Sequence, residues 1–190
     1  MTSEEVTVKK VILLLILAGI TFLGCNDNSD NTISSPTEAD KLINPQQSIY
    51  QHLFASKLID GEIGGKLELD ETFINGEGRE INVYARLRVL EDSYKGTINI
   101  SMLANDEDVS IQLFPEMNFN RAVRLDLIYT GIDLKALGYT TTGNVDFAYF
   151  ADNGDVELIE SDFSHVNIQQ NQISVRNAKL SHFSRYGWLR

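Results

Sequence analysis

The stretch Ile81-Asn82-Val83-Tyr84-Ala85-Arg86-Leu87-Arg88-Val89 decides the fold. Ile81, Val83, Ala85, Leu87 and Val89 alternate with residues that include Asn82, Arg86 and Arg88. Successive side chains of an extended chain point to opposite faces, so this spacing describes a strand with one face in a core and the other toward water. The pattern recurs with Ile98, Ile100 and Met102 in TINISML, and with Val123, Leu125 and Leu127 in AVRLDLIY. VDFAYF (145–150) and QISVRN (172–177) add two more runs. Between the runs stand Asn75-Gly76-Glu77-Gly78, Asn105-Asp106-Glu107-Asp108, Thr142-Gly143-Asn144 and Asn153-Gly154, residues that tolerate tight or left-handed turns. One segment reads as helical: GIDLKALG (131–138), barely two turns, with Asp133 as N-cap and Gly138 as the stop. About eight to ten short antiparallel strands, half-buried and evenly spaced, predict an all-β sandwich without internal repeats.

Composition narrows the function. The chain has 190 residues, 43% of them hydrophobic and 23% charged, which suffices for one domain with a core plus a targeting segment and a tether. Its net charge of -11 repels nucleic acid and anionic headgroups, so nucleic-acid binding and electrostatic membrane binding are set aside as primary roles. The single cysteine, Cys25, excludes an intrachain disulfide and a cysteine-rich zinc site.

Lys9 and Lys10 precede an uncharged apolar run, Val11 to Leu23, which has signal-peptide length and is short for a bilayer-spanning helix. Phe22-Leu23-Gly24-Cys25 then resembles the bacterial lipobox, in which a small residue precedes an obligatory cysteine. The resemblance implies cleavage before Cys25 and acylation of its thiol and new amino terminus. Phe22 and Leu23 depart from the usual leucine and small residue, and Glu4 and Glu5 are unusual ahead of the lysines. Two or three acyl chains hold a protein on a membrane where one does not. The following text is rich in Asn, Asp, Ser, Thr and Pro and cannot bury enough surface to offset the entropy of ordering it. Asp27 and Asp30 resemble the acidic surface-export signals of some bacterial lipoproteins, and they equally suit a solvated spacer. The expected organisation is a lipoprotein signal peptide over 1–24, lipidated Cys25 with a disordered linker over 25–48, and a sandwich over 49–190. The expected location is the bacterial cell envelope, at the outer membrane, facing periplasm or surface.

Within the sandwich region, GGKLEL (64–69), ISM (100–102), LFPEMNFNRAVRLDLIY (113–129), VDFAYFADNGDVELIES (145–161) and LSHFSRYGW (180–188) follow in order. The set resembles the ZU-five β-sandwich domain of ankyrins, netrin receptors and zonula-occludens proteins, over roughly Ile63 to Trp188. Departures are Met117 in place of a turn glycine, Ala122 in place of a proline, and Asp152-Asn153 where a tryptophan-bearing hairpin is frequent. The resemblance implies the sandwich and a protein-binding role, although a fold alone does not give function.

Some relatives cleave themselves at a His-Phe-Ser tripeptide, which places His182, Phe183 and Ser184 as candidates. The serine hydroxyl would attack the Phe183 carbonyl with His182 as base, which needs a strained peptide bond and oxyanion donors. The alternative is structural, with Phe183 in the core and the polar groups paired locally. His52, His165 and His182 have no metal-ligand spacing. Ser161, Asp162, Ser164 and His165 are triad residue types, but neighbours on an extended segment point to opposite faces. The clusters 105–108 and 152–155 lack the ligand spacing of a calcium loop. No cofactor or metal site is therefore expected. The reading is a non-catalytic, lipid-anchored module that binds an envelope protein or glycan or plays a structural part, with self-processing between Phe183 and Ser184 as the alternative.

Overall fold

A computed structural model describes residues 53–190. The expected signal segment and linker, with Cys25 and His52, lie outside the described residues. Twelve strands among the described residues form two antiparallel six-stranded sheets. The first sheet contains, in spatial order, β1 (Phe54–Asp60), β4 (Thr97–Asn105), β5 (Ser110–Phe114), β12 (Arg185–Trp188), β8 (Phe147–Phe150) and β9 (Val156–Leu158). The second contains β2 (Gly65–Ile74), β3 (Glu80–Val89), β6 (Asn118–Thr130), β11 (Gln172–His182), β10 (Phe163–Asn167) and β7 (Gly143–Asn144). The described region is the all-β sandwich that the alternation predicts. Its strand number exceeds the expected eight to ten because β7 and β9, of two and three residues, are too short to show a period.

The core lies between the sheets. Ile81, Val83, Ala85 and Leu87 have no exposed surface, and neither do Ile100, Met102, Val123, Leu125 and Leu127. Two buried tyrosines tie the layers together through their hydroxyls, since a phenol taken into a core needs a partner. Tyr129 of β6 donates to Ser110 O at 2.5 Å and accepts from Asn105 N–H at 3.2 Å, both on the opposite sheet. Tyr94, in the β3–β4 crossing, donates to Ile59 O at 2.8 Å. Burial pushes both phenols above their ordinary pKa.

Two local expectations are corrected. Segment 131–138 contains no helix. Asp133 Oδ1 accepts from Ala136 N–H at 3.1 Å as an N-cap would, but Tyr139 N–H already returns to Leu134 O at 2.9 Å, closing the segment after one turn. Gly138 stands at φ +95°, so the start and stop signals were both present with too few residues between them to propagate a helix. Gly143 and Asn144, expected in a turn, form β7 instead, because His165 and Val166 of β10 offer them an edge to pair with.

The alternation in β11 breaks once. Ile173 and Val175 point inward, and so do Ala178 and Leu180, which reverses the parity between them. A β-bulge at Arg176-Asn177 absorbs the extra residue, with Asn177 at φ +54°. Its freed N–H donates to Asp126 Oδ1 at 2.8 Å.

Candidate functional site

The tripeptide His182-Phe183-Ser184 forms the corner where the chain leaves β11 for β12. It lines an open groove of about 580 Å³ together with Glu116, Tyr149 and Asp152. Phe183 is buried and meets Phe119 edge to face at 4.6 Å. Its N–H donates to Met117 O at 2.8 Å, and Ser184 O accepts from Leu113 N–H at 2.9 Å. The His182 ring lies against Tyr149 at 4.5 Å, and its Nδ1 is 3.3 Å from the Tyr186 hydroxyl, which donates to His182 O at 2.5 Å. The imidazole is thus engaged by two tyrosines. Residues 182–184 all avoid the left-handed region, where strain would be stored.

The other sequence candidates separate in space. On β10, His165 sits on the outer face with its Nδ1 3.4 Å from Asn144 Oδ1. Ser164 points inward and accepts from Trp188 Nε1–H at 3.0 Å. Asp162 accepts from Asn177 Nδ2–H at 2.8 Å. In the 105–108 turn, Asn105 Oδ1 accepts from Glu107 N–H at 2.8 Å, and Asp108 Oδ1 accepts from Ser110 Oγ–H at 2.5 Å. Burial raises the Asp106 pKa, and Glu107 and Asp108 add to it. Among the described residues no group of three His, Cys, Asp or Glu side chains converges as metal ligands would.

The outer face of the second sheet holds an arrangement that the sequence did not single out. Side chains of directly opposed residues share a face, so the strand register sorts this face into rows. One row runs Lys66, Arg88, Arg124, Lys179 across β2, β3, β6 and β11. Adjacent strands are about 4.8 Å apart, so four cations follow one another over about 14 Å. Lys66 pairs with Glu68 at 3.0 Å and Lys179 with Glu160. Arg88 Nη2 donates to Asn177 Oδ1 at 3.2 Å and lies 3.7 Å from Asp126. Arg88 Nε and Arg124 Nη1, both buried, face no acceptor among the described residues.

The next row runs Glu68, Arg86, Asp126 and alternates in sign. Arg86 Nε and Nη2 donate to Asp126 Oδ2 at 3.1 and 2.7 Å. Burial opposes ionisation of Asp126, but the Asn177 N–H, Arg86 and Arg88 outweigh it and hold the carboxyl below its usual range. Beyond it lie Asp70, Tyr84, Ile128, Ser174, His165 and Asn144, then Thr72, Asn82, Thr130, Gln172 and Asn167. Only the β6, β11 and β10 members of these rows, Ile128, Ser174, His165, Gln172 and Asn167, line a concavity of about 460 Å³, together with Phe163 and Arg176. Phe163 is 44% exposed and stacks on His165 at 5.3 Å.

No family model, curated protein or solved structure matches the chain. Lys66, Arg124 and Lys179 are far apart in the chain and sit in otherwise ordinary alternations, so only pairing register could have joined them.

Proposed function

We propose that this chain is a lipid-anchored lipoprotein of the bacterial cell envelope whose β-sandwich is a non-catalytic binding module. Cys25 carries the lipid, the linker to about residue 48 spaces the domain from the membrane, and the sandwich presents a sheet face to an envelope partner. The observation that carries the reading is the sequence of Lys9-Lys10, the apolar run Val11 to Leu23 and Gly24-Cys25, followed at once by a polar linker. The domain's order of motifs supports a ZU-five-like identity: GGKLEL runs from the β1–β2 turn into β2, LFPEMNFNRAVRLDLIY crosses from β5 to β6, and LSHFSRYGW closes β11 and β12. A binding role is favoured because the polar and aromatic side chains of the second sheet spread over a broad open face. The His182 ring is engaged by Tyr149 and Tyr186.

Cys25→Ser tests the anchor. In a bacterial host, palmitate labelling and membrane retention should both be lost, and unchanged labelling and fractionation would overturn the reading. The self-processing alternative is decided by the intact mass of the purified chain. The expected mass retains Ser184 to Arg190, and loss of those residues would assign the His182 corner to self-cleavage.

A further inference from the structure

We propose that the outer face of the second sheet binds an acidic oligosaccharide, its anionic groups seated on the Lys66–Arg88–Arg124–Lys179 row and its sugar rings entering the concavity beside Phe163. Like charges directly opposed across strands destabilise a sheet. A row of four is the more unexpected in a chain of net charge -11, where carboxylates to intersperse were plentiful. The neighbouring row, Glu68–Arg86–Asp126, shows that the same strands do alternate signs two residues away. Buried N–H groups ordinarily have acceptors, yet Arg88 Nε and Arg124 Nη1 have none among the described residues. Those two nitrogens are closed to solvent, but half-buried Arg124 forms no ion pair among the described residues, and the rest of its fork is the complement of an incoming carboxylate or phosphate.

The surroundings favour a glycan over other polyanions. Thr130 and Gln172, opposite one another in register, supply a hydroxyl and an amide able to donate to and accept from sugar hydroxyls, beside Asn82 and Asn167, whose amides are held by Thr72 and Gln170. Exposed Phe163 offers an apolar ring face, and Arg176, opposite it in register, continues the cationic character into the concavity. The overall negative charge opposes a long nucleic acid. The inference rests on the sandwich being a binding module and is independent of the lipid on Cys25.

Calorimetric titration of the full chain in neutral detergent tests it, with short oligogalacturonate, oligomannuronate and hyaluronan fragments as probes. A neutral malto-oligosaccharide and polyglutamate serve as comparisons. At least one acidic fragment should bind at low salt, more weakly as salt is raised. Arg124→Gln and Arg88→Gln should each weaken that binding about tenfold or more, and Arg124→Lys, which keeps the charge without the fork, should fall between. Thermal melts of the same variants establish that they fold. Binding of none of the acidic fragments, or binding that the folded variants leave unchanged, overturns the proposal. Equal affinity for polyglutamate reassigns the face to an acidic peptide, and equal affinity for the neutral sugar removes the role of the cations. Loss of glycan binding with Cys25-dependent membrane retention intact would sink this inference alone.

Discussion

Two neighbouring rows on one sheet use the same residue types to opposite effect. In Glu68–Arg86–Asp126, each charge faces its opposite across the strand gap, and Asp126 is 6% exposed with both oxygens occupied. In Lys66–Arg88–Arg124–Lys179, each charge faces its like, and relief comes only from the flanks. The first row belongs to folding: it fills the gap that the β11 bulge opens in the hydrogen-bond ladder. The second row finds its partners only at its flanks, and Arg124 at its middle forms no ion pair among the described residues. Local stability that is given up in this way is a mark of surfaces kept for a ligand.

The contrast is sharpest when the paired row is cut. Asp126→Ala strands the Asn177 N–H and leaves Arg86 beside Arg88 without its carboxylate. Arg86 is 39% exposed and solvent screens part of the loss. The expected cost is about 2 kcal/mol or somewhat more, read as a lower urea midpoint. Loss of less than half that would mean that the two rows do not differ in structural weight.

Acid should erase the same interaction without mutation. The folded Asp126 carboxyl titrates below its unfolded value of about 3.9. A depressed acid contributes stability that is complete above the unfolded value and disappears as pH falls through the folded one. The stability gap between the wild type and Asp126→Asn should therefore be constant near neutrality and narrow below about pH 4. A gap that stays constant into strong acid would show that the carboxylate's charge contributes little.

Much of this sandwich was legible from alternation alone, because a strand buried on one side must place its apolar residues two apart. The runs from Ile81 and from Val123 read correctly to the residue. What escaped had physical reasons. The parity change from Val175 to Ala178 was visible in the sequence, but it becomes a bulge only because Asp126, on another strand, accepts the freed N–H. The helix expected at 131–138 had good caps and too little length. The cationic row was illegible, since it exists only in the register of four strands, and the acidic composition argued against any such patch. For Cys25 the reading still rests on sequence.

The smallest expected effect carries the greatest weight. Arg124 has Lys179 opposite on one side and Arg88 on the other, and its Nη1 has no acceptor to lose among the described residues. Urea unfolding of Arg124→Gln in the full chain should show a midpoint equal to or above that of the wild type, a gain of up to about 0.5 kcal/mol. Added acidic oligosaccharide, which should raise the wild-type midpoint by mass action, should raise the variant's much less. A midpoint lowered by the substitution, with the oligosaccharide shift preserved, would show that the row serves the fold and would contradict its assignment to a ligand.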